Sequence, residues 1–274
     1  QHRSPYKGSS VEFAQHRPYV PGDDLRHLDW KVFGRSDKLY LKQHQQETHL
    51  DLVLLVDASG SMMYGSRSFE DASGQGHATS LDGRTSWSKF DHGTALAAAL
   101  AYITLRQGDR AGLAVFAEDI RAIIRRSSST ATWRQIVGAL STHTIARGTD
   151  LPRVIDRVLG KVTSRCLFVL LSDLFSDPEA IKAAMSRLKF RGHDLIIAQV
   201  LDDAERTLAL NEEAPLVGLE GEPMLRVDPR AIREAYIAAL NRHQEAVTRA
   251  ALGFGFDFMS LSTHDWLGPP LSAF

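Results

Sequence analysis

Apolar residues gather in short unbroken runs along most of the chain: "LVLLVD" from Leu52, "AGLAVF" from Ala111, "CLFVLLSD" from Cys166 and "DLIIAQVLD" from Asp194. Each is the length of a strand, and continuous apolarity is the mark of strands buried on both faces. Between them stand segments with helical spacing: "KFDHGTALAAALAYITLRQGD", "ATWRQIVGAL", Leu151 to Leu159, and "DPEAIKAAMSRLKFRG". "DIRAIIRR" follows "AGLAVF" in the next helical place of the alternation, and a helix over Arg230 to Leu252 leads into a last strand, "GFDFMSLS". Strand, helix, strand, repeated in this way, predicts an α/β domain: a doubly wound, Rossmann-type, mostly parallel central sheet with helices on both faces.

Residues 1–49 break the pattern. They are polar, with a turn at "VPGDD" centred on Pro21 and Gly22, a short helical stretch in "DLRHLDWKVFG", and an alternating "KLYLKQ" that reads as a strand. The expectation is an N-terminal extension packed on a main domain of residues 50–274. Two insertions interrupt that domain. Residues 65–86, "GSRSFEDASGQGHATSLDGRTS" within "YGSRS…TSW", are too polar to bury much apolar area, so a mobile loop is expected there. At about 204–228, turn signals between short apolar runs in "LNEEAPLVGLEGEPMLRVD" predict an inserted hairpin.

Charge narrows the partners. With 32 basic against 33 acidic residues the net charge is −1, which gives no general attraction to nucleic acid or anionic lipid, so partners must be found by specific sites. The longest membrane-like stretch, "ALAAALAYITL", is well short of the roughly 20 apolar residues needed to span a bilayer. The one cysteine, Cys166, sits within an apolar run and reads as a small buried hydrophobe in a reducing compartment. A cytoplasmic location is expected, or one at the inner membrane reached through partners.

Candidate chemistry lies where the first central strand ends. "LVLLVDASGS" runs straight into Asp57, Ser59 and Ser61, and ligands of open α/β sheets sit outside the carboxyl ends of the strands. Taken alone, these three could be an Asx or Ser turn capping the next helix. Two further oxygen donors should return to the same edge: Thr149 in "ARGTDLP", before a helix that Pro152 can start, and Asp173 at the end of "CLFVLLSD". Two carboxylates about 5 Å apart repel by roughly 3 kcal/mol at an effective dielectric near 20, and a divalent cation removes that penalty. Five hard oxygen donors with no His or Cys suit magnesium, or manganese, and leave a coordination position open.

"DASGS", a threonine before a helix and a strand-terminal aspartate resemble the metal-ion-dependent adhesion site, or MIDAS, of von Willebrand factor A domains. The segment "SPYKGSSVEFAQHRPYVPGDDLRHLDWKVFGRSDKLYLKQHQQET" before it is similar to the bacterial family called domain of unknown function 58. The resemblance implies a magnesium-dependent protein-interaction module that catalyses nothing. It implies metal ligation by Asp57, Ser59, Ser61, Thr149 and Asp173, a partner that supplies an Asp or Glu to the metal, and a MoxR-type AAA+ ATPase, or its client, as that partner. One departure is Leu174, which follows the strand-terminal aspartate where many A domains have glycine.

Two other readings compete. "VLLVDASGS" also resembles the opening of haloacid-dehalogenase-type phosphatases, but the second acid of that motif is replaced by Ser59, whose hydroxyl cannot serve as the general acid. The third reading is an A-like interaction domain that no longer needs metal. "HQQETH" is not a zinc-protease motif, because His44 and His49 are not spaced i, i+4.

Overall fold

The computed structural model describes residues 13–44, 50–68, 85–142, 148–208, 214–216, 218–221 and 223–273. The central part of the polar loop, 69–84, lies outside them. The chain divides into two compact units, Gln1–Leu50 and Asp51–Phe274.

The first unit pairs β1 (Phe13–Pro18) antiparallel with β2 (Tyr40–His44), with α1 (Trp30–Ser36) between them in sequence. The expected turn is present: Asp23 N–H bonds the Val20 carbonyl at 3.1 Å, and Gly22 takes the φ of 104° that glycine adopts without strain. Asp29 caps α1 by accepting from the amides of Lys31 and Val32, and its other oxygen lies 2.9 Å from His16 Nε2. β1 was not expected from its mixed "FAQHRP" sequence. An antiparallel partner stabilises it where local pattern does not.

In the second unit β3 (Asp51–Asp57) is followed by a short ladder of β4 (Arg67–Ser68) with β5 (Ser86–Trp87), which closes the base of the polar loop. Then come α2 (Lys89–Arg106), β6 (Arg110–Phe116), β7 (Ile120–Ser127), α3 (Ala131–Ser141), α4 (Leu151–Leu159) and β8 (Leu167–Ser172). The chain continues through α5 (Pro178–Phe190), β9 (Asp194–Leu201), α6 (Asp203–Thr207), β10 (Ala214–Leu216), β11 (Leu225–Val227), α7 (Pro229–Gly253), β12 (Asp257–Ser262) and α8 (Gly268–Ala273). β10 and β11 form the predicted hairpin.

Helix starts follow local chemistry. Ser88 and Asp91 make a capping box on α2, and α4, α5 and α7 each combine an aspartate cap (Asp150, Asp177, Asp228) with a proline in the first turn.

The central sheet has six strands in the order β12-β9-β8-β3-β6-β7, parallel except for β7. This is the doubly wound arrangement. β7 corrects the sequence reading: "DIRAIIRR" is an antiparallel edge strand, not a helix. Ile120, Ile123 and Ile124 favour extended backbone, and a tight turn, with Ala117 N–H on the Asp119 carbonyl at 3.0 Å, folds the segment back on β6.

β3 shows why its sequence is continuously apolar. Val53 and Leu55 pack into the layer formed with α4, α5 and α7, whereas Leu52, Leu54 and Val56 enter the layer formed with α2 and α3. Full burial of one such side chain contributes roughly 1.5–3 kcal/mol. The polar residues that break this run at the carboxyl end are therefore placed by a rigid element.

Candidate metal centre

β3 and β8 are neighbours, with Val56 opposite Leu171, so Asp57 and Asp173 leave adjacent strands at the same edge. Both are buried, at 1% and 2% exposure. Asp57 accepts from the Ser59 amide at 2.9 Å on one oxygen and from the Ser172 hydroxyl at 2.6 Å on the other. Burial first, and the nearby negative Asp173 second, push the Asp57 carboxyl up to about 7 despite those hydrogen bonds.

Two serine hydroxyls lie together just beyond β3. Ser59 Oγ and Ser61 Oγ are 3.1 Å apart. Neighbouring corners of an octahedron with metal–oxygen bonds of about 2.0–2.1 Å are separated by about 2.9 Å, so the serine pair fits a magnesium-sized ion. The segment bearing Thr149 is tied to the end of β6, as is the loop that follows β3. Ala58 N–H bonds the Phe116 carbonyl at 2.7 Å, and Asp150 N–H bonds the Ala117 carbonyl at 3.3 Å, so both loops are anchored to consecutive residues. Thr149 is half-buried and makes no side-chain hydrogen bond among the described residues. Among the described residues no group of three or more His, Cys, Asp or Glu is arranged to hold a metal.

The turn after β8 is unusual. Leu174, at the place where glycine is common in the resembling domains, has a φ of 60°, a left-handed conformation that costs a branched or bulky residue energy. Neighbours hold it there. Leu174 is 2% exposed, its carbonyl lies 2.8 Å from His243 Nε2, and the Asp173 carbonyl accepts from Gln199 Nε2 at 3.0 Å. Gln244 in α7 in turn donates to Gln199 at 2.9 Å. The aspartate is thus oriented by a strained turn braced from a helix and a strand.

Sequence reasoning missed Lys89. A lysine at the first position of a helix is ordinarily a surface residue, yet this one is fully buried, with Nζ 2.8 Å from Asp173 Oδ2 and 2.7 Å from Glu205 Oε1. The same ammonium lies 4.8 Å from the centroid of the Phe175 ring. Burial opposes its charge, but Asp173 and Glu205 outweigh burial and raise its pKa, so it is an ammonium at neutral pH. Glu205 shares that cation with Asp173, and its own burial prevails, raising its pKa. Glu205 also closes a capping box on Asp202, which is bound by Ser66 and Thr263.

The inserted hairpin reaches the centre as well. A Cβ on Gly60 would fall 2.4 Å from the Leu219 carbonyl oxygen, and the Ser61 amide donates to Glu220 Oε1 at 3.2 Å. No local signal marks either residue, because the contact joins positions far apart in the chain.

The profile of the family described as "Protein of unknown function DUF58" matches residues 15–246. The chain belongs to the DUF58 family. This DUF58 protein is 28% identical over 277 residues to the uncharacterized proteins Mb1516 of Mycobacterium bovis and Rv1480 of Mycobacterium tuberculosis, covering 95% of this chain and 77% of each relative. Among solved structures it is similar to the conserved hypothetical protein BatB from Bacteroides thetaiotaomicron, at 14% identity and a TM-score of 0.46, over 82% of this chain and 95% of that one. An aerotolerance-related membrane protein from Bacteroides fragilis matches at 16% identity and a TM-score of 0.47, over 82% and 96% of the two chains. The strand order and the single antiparallel edge of the DUF58 protein are those of a von Willebrand factor A-like fold. Among its described residues no helix is long and apolar enough to cross a membrane.

Proposed function

We propose that the domain is a protein-interaction module that binds its partner through a divalent cation, magnesium or manganese, and that it catalyses nothing. Ser59, Ser61 and Thr149 would hold the ion, while Asp57 and Asp173 supply negative charge and accept from its waters. The observation that carries this reading is the pair of serine hydroxyls 3.1 Å apart beside two buried carboxylates on neighbouring strands. When bound, the ion supplies a Lewis-acidic anchor for an aspartate or glutamate of the partner, a charge-assisted contact stronger than one to a neutral group. The partner we propose is a MoxR-type AAA+ ATPase or its client, met in the cytoplasm or at the inner membrane.

A second reading has its own support. Lys89 already gives Asp173 a cation at 2.8 Å, which suits an interaction surface that needs no metal. A phosphatase is less well supported, since Ser59 stands where the general acid would be needed. Calorimetric titration with magnesium and manganese separates the first two readings. The cation reading expects saturable binding that Asp57→Ala abolishes, and capture of the companion ATPase that chelator abolishes. Capture that is equal with magnesium and with chelator would establish the metal-independent surface instead.

A further inference from the structure

Glu220 has no part in the roles assigned so far, yet it is held beside the proposed cation donors by contacts that leave little freedom. The Leu219 carbonyl fills the space over Gly60 so closely that any side chain there would displace it, and the Glu220 Cγ is 3.2 Å from the same point. Gly60 is therefore required by the approach of another backbone. One residue on, the Ser61 amide donates to Glu220 Oε1 at 3.2 Å, so a carboxylate lies against the residue whose hydroxyl is a proposed donor. Leu219 and Glu220 lie between β10 and β11 in the chain and meet this loop across 159 residues of sequence.

The draw on Glu220 is the ion itself, not a net positive charge at this edge. Asp57, Asp173 and Glu205 against Lys89 sum to two negative charges when all are ionised, which a divalent cation neutralises. A cation held largely by neutral hydroxyls still attracts one more carboxylate, and there is one open position for it. Resting on the cation reading above, we propose that Glu220 is the domain's own occupant of that position, so that the hairpin is a plug which the partner's aspartate or glutamate must displace. The partner's apparent affinity is then reduced by the fraction of molecules in which the hairpin is closed.

Manganese, added to the full chain, serves as the probe, with water-proton relaxation reporting both its affinity and the number of exchanging waters on the bound ion. Glu220→Gln keeps an oxygen for the Ser61 amide and removes the charge. It is expected to weaken manganese binding about tenfold and to add one exchanging water. Gly60→Ala pushes the Leu219 carbonyl away and should add the same water, provided its melting remains cooperative. Acetate, as a model carboxylate, should then bind the manganese-loaded variants and not the wild type. Unchanged affinity and water count in Glu220→Gln, with binding still lost in Asp57→Ala, would overturn the plug and leave the cation reading standing. Failure of the wild type and of both plug variants to bind manganese would overturn both.

Discussion

Replacing Lys89 by methionine removes one buried positive charge while keeping nearly the same volume. The variant leaves Asp173 and Glu205 without the ammonium that now lies 2.8 and 2.7 Å from them, in an edge that already holds the buried Asp57. Removing one partner of a buried ion pair typically costs about 3–5 kcal/mol. For a domain of this size each kcal/mol lowers Tm by roughly 2–4 °C, so in chelator Lys89→Met should melt about 6–12 °C below the wild type at the lower figure. Magnesium should reverse much of this. The ammonium sits 2.8 Å from Asp173 and so competes with any cation this carboxylate would serve, and its loss should tighten magnesium binding about tenfold. Thermal melts in chelator and across a magnesium series, together with calorimetry, test both statements. Equal Tm values in chelator, or a magnesium affinity no higher than that of the wild type, would refute the charge-balancing role of Lys89.

Leu174→Gly relieves a left-handed backbone worth about 1–2 kcal/mol but empties a core position, so it should be less damaging than Leu174→Ala by about 1 kcal/mol in urea unfolding, although both are destabilised. Asp202 is buried, but its hydrogen bonds from Ser66 and Thr263 outweigh that burial and hold its pKa below the ordinary 3.8. A lowered folded-state pKa gives stability that is present above the unfolded value and lost as pH falls through the folded one. The stability gap between wild type and Asp202→Asn should therefore be constant from pH 7 to about 4 and narrow below it in denaturant titrations. Gly65→Ala would put a Cβ 2.0 Å from the Trp87 carbonyl, and it should loosen the β4–β5 ladder, seen as faster amide exchange at Arg67 and Ser68.

What could be read from the chain follows the range of the forces involved. β3, β6 and β8 are nearly continuous apolar runs, β9 is one interrupted by Gln199, and α4, α5 and α7 carry their own caps and prolines, so local sequence places them. Asp57, Ser59, Ser61 and Asp173 could be named because they stand at strand ends, where topology brings residues together whatever their separation in sequence. β7 could not, since isoleucines and arginines in "IRAIIRRS" fit a helix or a strand and only pairing with β6 decides between them. Lys89, Glu205 and Glu220 stayed hidden for a related reason. A charged residue is locally a surface residue, and the partners that hold these three are far away in the chain: 84 positions for Lys89 and Asp173, 116 for Lys89 and Glu205, and 159 for Glu220 and the Ser61 amide.

The antiparallel turn of β7 also bears on how the molecule behaves in a crowded solution. An open sheet ends in a row of unpaired amides and carbonyls that can recruit a strand from another molecule. Here that margin carries arginines: Arg121 and Arg125 are exposed on β7, and Arg126 is tied back to Asp51 and Ser164. Two copies approaching margin to margin would bring like charges together before any backbone bond could form. The isoleucines that give β7 its strand character are thus flanked by charge that opposes pairing at this edge, and exchanging Arg121 and Arg125 for valines would turn the same strand into an aggregation seed.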